Sequence, residues 1–259
     1  MTHRDHAPPG SPCWADLSTS DVDGSRRFYC ELLGWEAQEP SPEFGGYFMF
    51  TREGIPVAGG YGDMGGVRAD DAWKIYLATD DAAATVESAV ARGGSVLVGA
   101  VPVADLGNQA VLADPAGAPI GAWEEGTFPG FVVLDEPGAP SWFELHTRAY
   151  AGALDFYRSV FGWTTRVESD SDEFRYTTSI DPADGTQLAG VMDAPWLPEG
   201  SGGRWAIYWE TADVDATVSD AVRLGGAVTD GPVDTPYGRI ATVTDPAGAA
   251  FRLRTAPGS

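Results

Sequence analysis

A chain of 259 residues with a formal net charge of −22, from 16 basic and 38 acidic residues, is a poor partner for nucleic acid or an anionic membrane surface, because phosphate contacts need clustered Arg and Lys. Its 43% hydrophobic and 11% aromatic content excludes general disorder, and the length suits two ordinary domains. No apolar run approaches the ~20 residues that span a bilayer, and Cys13 and Cys30 form no C-x-x-C pair, so two buried free thiols in a reducing cytoplasm are expected.

Residues 1–11 lack an apolar h-region, so no signal peptide is expected. They read as a flexible tail, with His3 and His6 as tail residues rather than metal ligands. The segment 12–18 then alternates: Cys13, Ala15 and Leu17 lie on one strand face, and Trp14, Asp16 and Ser18 on the other. A helix follows, with Thr19 or Ser20 as its cap, Asp21 and Asp23 suited to its N-terminal dipole, Phe28, Leu32 and Leu33 as its apolar stripe, and Gly34 as its stop. Strands are predicted near 36–39, 46–51 and 55–61. The same order returns: strand 73–79, helix 81–92 ending at Gly93-Gly94, and strands near 95–99, 108–113 and 119–123.

The Pro- and Gly-rich segment 127–139 reads as a linker, after which the chain repeats itself. Residues 140–163 align with 12–35, matching Trp142 to Trp14, Phe156-Tyr157 to Phe28-Tyr29, and Gly162-Trp163 to Gly34-Trp35. Residues 205–226 align with 73–94, and a DPAG turn closes each half. Tyr29 and Tyr157, on helices, read as packing residues. The predicted fold class is α+β: four βαβββ units, paired into half-barrel domains at 12–126 and 140–257, each with helices outside and a concave cup inside. One unit alone buries too little surface to be secure, which is why pairing is expected.

The F-Y-x-x-x-x-G-W motif, the V-D-A-T-V-x-x-A-V-x-x-G-G helix and the D-P-A-G turn resemble the vicinal oxygen chelate superfamily, which includes glyoxalase I, extradiol dioxygenases, and fosfomycin-resistance and bleomycin-binding proteins. More narrowly the chain resembles tandem glyoxalase-like proteins of actinobacteria, which often carry the label hydroxylase and of which some belong to natural-product pathways. The resemblance implies His, Gln or Glu metal ligands at inward strand positions. Those positions hold Trp14, Lys74 and Gly121 in the first half and Trp142, Ala206 and Arg252 in the second, none an ordinary ligand of a divalent ion. A shifted register would bring Glu144, His146, Glu210 or Glu124 into play. No catalytic metal and no cofactor are expected.

Period-two alternation turns Trp14, Asp16, Ser18, Lys74, Tyr76, Gly121 and Trp123 into the first cup, and Trp142, Glu144, His146, Tyr208, Glu210, Arg252 and Arg254 into the second. Trp73, Ile75, Leu77, Trp205, Ile207 and Trp209 face the core beneath the helices. Aromatic rings with a few polar heads suit a small-molecule pocket; the same rings also plug a cavity that has lost its metal, with Asp16–Lys74 and Glu144–Arg252 as inward salt bridges. The leading expectation is a cytoplasmic binding protein for a planar, hydrophobic, natural-product-like ligand, in a resistance or biosynthetic accessory role. The alternatives are a metal-free isomerase or lyase using Asp16, Glu144 and His146 as acid–base groups, and a metal-dependent lyase or dioxygenase. The duplication makes a monomer sufficient, and a homodimer stays open.

Overall fold

The computed structural model describes residues 2–256. Each half forms one eight-stranded sheet. Across the first sheet the strands run Glu36–Ala37, Phe48–Arg52, Ile55–Tyr61, Pro12–Ser18, Ala72–Thr79, Pro119–Glu125, Gly107–Ala113 and Ser95–Val103. The second runs Thr164–Asp170, Arg175–Ile180, Gln187–Asp193, Pro140–Thr147, Arg204–Glu210, Ala250–Arg254, Gly238–Thr244 and Ala227–Thr235. The leading strands of two units meet antiparallel at the centre, with Asp16 opposite Lys74 and Glu144 opposite Ala206. Each also runs parallel to the last strand of its own unit, placing Gly59 beside Asp16 and Gly190 beside Glu144. The predicted four units and two half-barrels are therefore present.

Helices α1 (Val22–Leu33), α2 (Ala82–Ala91), α3 (Tyr150–Phe161) and α4 (Val214–Arg223) follow the leading strands. The cap of α1 is Asp21, not Thr19 or Ser20: its carboxylate accepts from Gly24 N at 2.9 Å, and a charged acceptor suits the helix dipole better than a hydroxyl. Thr19 Oγ1 instead accepts from Asp21 N at 3.1 Å. Gly34 and Gly162 end α1 and α3 in the left-handed region, with φ of 69° and 68°.

The halves pack through their convex faces. Trp209 meets Trp35 at 4.8 Å and Trp73 at 5.2 Å between ring centroids, and Tyr29 reaches Phe251 at 5.4 Å. Trp73 and Trp205 donate their indole N–H to the hydroxyls of Tyr29 and Tyr157, each at 3.0 Å. The DPAG aspartates cross between halves: Asp114 faces Tyr157, and Asp245 faces Tyr29 and Ser25. Each also accepts backbone N–H groups of its own turn, Ala118 for Asp114 and Ala249 for Asp245, at 2.9 Å. The core aromatics thus serve both halves at once.

The lead-in, expected as a flexible tail, is tied to the linker. Thr2–His3 pairs antiparallel with Val133–Leu134, and Arg4 donates to the carbonyls of Phe131 and Pro12 at 2.9 and 2.7 Å. His6 Nδ1 lies 2.7 Å from Glu125 Oε1. Backbone partners of this kind leave no trace in composition. Cys13 is buried, and burial pushes its thiol up to about 12; Cys30 is only half-buried, against expectation. No helix among the described residues is long and apolar enough to cross a membrane.

Candidate ligand-binding site

The same polar cage recurs on each concave face. In the second half, strand alternation carries Trp142, Glu144 and His146 inward in succession. Glu144 Oε1 lies 2.5 Å from His146 Nε2, accepts from Tyr208 Oη at 3.0 Å and faces Arg252 Nη1 at 3.5 Å. Glu144 Oε2 accepts from Tyr176 Oη at 2.8 Å, and that hydroxyl accepts from Trp142 Nε1 at 2.9 Å. Arg252 also donates to Tyr208 Oη and lies 5.1 Å above the Tyr208 ring. A Cβ at Gly190 would land on the Tyr176 hydroxyl, so only glycine lets this tyrosine reach the carboxylate. Burial works to raise the Glu144 carboxyl, and the bond and charge of His146, the charge of Arg252 and the Tyr176 hydroxyl outweigh it, holding the group below the usual carboxylate range. Burial and the Glu144 charge push both tyrosines up, so they stay protonated donors.

The first half builds the cage without its cations. Asp16 Oδ1 accepts from Trp14 Nε1 at 3.0 Å and from Tyr47 Oη at 2.8 Å, and Tyr76 adds a hydrogen bond. Gly59 lies against Tyr47 as Gly190 lies against Tyr176, and Gly121 leaves room for the Tyr76 ring. The expected Asp16–Lys74 salt bridge is absent among the described residues. The two lie in register, yet the carboxylate turns toward Trp14 and Tyr47, and Lys74 Nζ donates to Tyr61 Oη at 2.6 Å. Burial pushes the Asp16 carboxyl up, against the hydrogen bonds of Tyr47 and Tyr76, the Lys74 charge and the Trp14 bond. One cage therefore holds an ion-paired carboxylate held below its usual range and the other a carboxyl that burial raises above it.

The linker covers the tryptophans of the first cup. Phe128 meets Trp14 edge-on at 4.8 Å, and Phe131 tilts against it at 5.1 Å. Trp123 donates to the Phe128 carbonyl at 2.9 Å, and Trp14 and Trp123 are left 5% and 8% exposed. In the second half Trp142 stays half-buried, and Trp196, 57% exposed, stands edge-on to His146 at 6.0 Å. Glu210 and Arg254 do not join the Glu144 cage. They pair with each other at 3.2 Å beside Asp135 and Ala256 N. Sequence alternation missed Tyr47, Tyr176 and Trp196, which come from other strands and loops. A recurrent Phe-then-Tyr signal (Phe44 and Tyr47, Phe174 and Tyr176) marks the two tyrosines.

The donor set does not fit a chelated divalent ion. The indole N–H groups of Trp14 and Trp142 are committed to tyrosines, and the other implied positions hold Lys74, Gly121, Ala206 and Arg252. Glu144 and His146 touch each other, and Glu124 accepts from Ala82 N and Asn108 Nδ2 at 2.9 and 3.0 Å. Among the described residues no group of three His, Cys, Asp or Glu side chains is placed to hold a metal.

Two duplicated βαβββ half-barrels joined back to back define a tandem glyoxalase fold. The chain belongs to the Glyoxalase/Bleomycin resistance protein/Dioxygenase superfamily: that family model matches residues 140–253, and a model described as "Glyoxalase-like domain" matches 14–121. It is 38% identical to "Anthracycline biosynthesis protein DnrV" of Streptomyces peucetius, over 95% of this chain and 93% of that protein. It is 34% identical to "Putative glyoxylase CFP32" of Mycobacterium tuberculosis, over 99% of both. Among solved structures, the Mn(II)-bound glyoxalase from Novosphingobium aromaticivorans superposes with a TM-score of 0.63 at 17% identity, covering 95% of this chain and 82% of that one. The 2,3-dioxygenase LapB from Pseudomonas sp. KL28 gives 0.62 at 15%, covering 96% and 93%. At these identities the two structures show a shared fold.

Proposed function

We propose that this protein binds a planar, hydrophobic, natural-product-like molecule in its second half-barrel, as an accessory of biosynthesis, without a divalent ion. One observation carries the reading: partly exposed indoles, Trp142 and Trp196, stand at the two ends of the inward Glu144–His146 pair, with Arg252 20% exposed beside them. Flat rings accept a planar ligand by stacking, and the Arg252 guanidinium suits its carbonyl or phenol oxygens. Relatives named for anthracycline biosynthesis support a planar polycyclic ligand. The test is tryptophan quenching by a dihydroxyanthraquinone probe. Saturable quenching is expected, with Trp142→Ala and Trp196→Ala each weakening it about tenfold and Trp14→Phe leaving it unchanged. Unsaturable quenching, or indifference to both alanines, refutes the site; stoichiometric metal in purified protein refutes the ion-free part.

A second reading rests on the 2.5 Å contact between Glu144 and His146, which suits a general base and its orienting partner. The protein is then a metal-free isomerase or lyase on the same ligand, and Asp16, in the other half-barrel, takes no part in that reaction. This reading expects turnover of the probe, falling about 10²–10⁴-fold in His146→Gln.

A further inference from the structure

We infer a second, separate ligand site in the first half-barrel: the cavity between strand Ala72–Thr79 and the loop 62–70 takes a small organic monoanion, its charge held by Lys74 and Arg68. The cavity is a cleft of about 200 Å³ open to solvent on one side, and Ser18, Tyr61, Met64, Val67, Arg68 and Lys74 line it. Its size decides the ligand class. Clefts for drug-sized ligands measure ~300–1,000 Å³, so this one covers about a single ring.

Charge decides its sign. The chain carries 38 acidic against 16 basic residues, so a cation has carboxylates within easy reach. Lys74 and Arg68 nonetheless make no ion pair among the described residues, and both face this cavity. Lys74 Nζ spends one donor on Tyr61 Oη at 2.6 Å and lies 5.4 Å above the Tyr61 ring, which leaves two N–H donors. Tyr61, accepting from Lys74, keeps its own O–H to offer. Met64 and Val67, 37% and 72% exposed, supply an apolar wall for the ligand's body. Asp70 sits on the same rim, with its N–H on Ser18 Oγ at 3.1 Å, and it opposes a second negative charge.

The second half does not repeat this chemistry. Opposite Glu144 stands Ala206 where Lys74 stands opposite Asp16, and His146 occupies the strand position of Ser18. The duplicated cups have therefore diverged at these positions, Lys74 and Ser18 in the first against Ala206 and His146 in the second.

Because Lys74 is the only lysine, amine acetylation followed by mass spectrometry reads it directly, with the α-amine as an internal control. Benzoate is the probe. Saturable slowing of Lys74 acetylation by benzoate is expected, with the α-amine rate unchanged and acetate at least about tenfold weaker. Arg68→Gln should raise the benzoate midpoint about tenfold or more, and Arg68→Lys should restore most of it. Equal slowing of both amines, no slowing of either, or an Arg68→Gln midpoint equal to wild type overturns the inference. None of these readouts involves Trp142 or Trp196, so the outcome is independent of the second half-barrel.

Discussion

Glu144→Gln and Asp16→Asn make the same chemical change in two copies of one cage, and the structure assigns them different costs. Asp16 receives Trp14 and Tyr47 on one oxygen, Oδ1, which an asparagine carbonyl reproduces, and has Tyr76 as its one further donor. Glu144 is loaded on both oxygens: Tyr176 on Oε2, and His146, Tyr208 and Arg252 on Oε1. A glutamine turns an N–H₂ toward one of these donor sets. A charge pair at 3.5 Å is worth about 5 kcal/mol at an effective dielectric of ~20, before desolvation offsets part of it. With most hydrogen bonds surviving, Glu144→Gln should cost about 2–3 kcal/mol, or ~4–12 °C in Tm, and Asp16→Asn about 1 kcal/mol or less. The pH dependence separates them further. The folded Glu144 carboxyl lies below its usual range, so its contribution is present above about pH 4.3 and is lost as pH falls through the folded value. The deficit of Glu144→Gln should therefore shrink on acidification. The Asp16 carboxyl lies above its usual range, so the wild type gains on Asp16→Asn as pH falls through that raised value. Thermal melts followed by circular dichroism from about pH 2 to 8 check both signs, the change in the Glu144→Gln deficit falling below about pH 4.3. Equal melting losses for the two variants, or a pH-independent Glu144→Gln deficit, would refute the cage as drawn.

Gly190→Ala should displace Tyr176 from Glu144 and destabilise by about 1–3 kcal/mol, with Gly59→Ala doing the same to Tyr47; denaturant midpoints measure both, and pairing Gly190→Ala with Tyr176→Phe should recover part of the loss. Trp209→Ala opens the joint between halves and should cost about 3–5 kcal/mol while unfolding stays a single transition, seen by calorimetry. Phe128→Ala should uncover Trp14 and Trp123, raising their accessibility to acrylamide quenching at small cost to the fold.

The sequence by itself determined the scaffold. Periods of two and 3.6, the glycine stops and the doubled DPAG turn are local devices, and repetition tells a reader which alignment to believe. It also placed Trp14, Asp16, Trp142, Glu144 and His146 on inward faces, because alternation along a strand needs no tertiary information. What it left open lies across strands. Tyr47 and Tyr176 reach the carboxylates from neighbouring strands, through room that Gly59 and Gly190 leave. Asp16 and Lys74, opposite in register, part company because each finds a tyrosine first. Phe128 and Phe131 cover the first cup from a linker whose composition says only that it turns. Faces follow from backbone geometry, which is local. Partners follow from which side chains the closed fold brings within ~3 Å, and only the tertiary structure decided that.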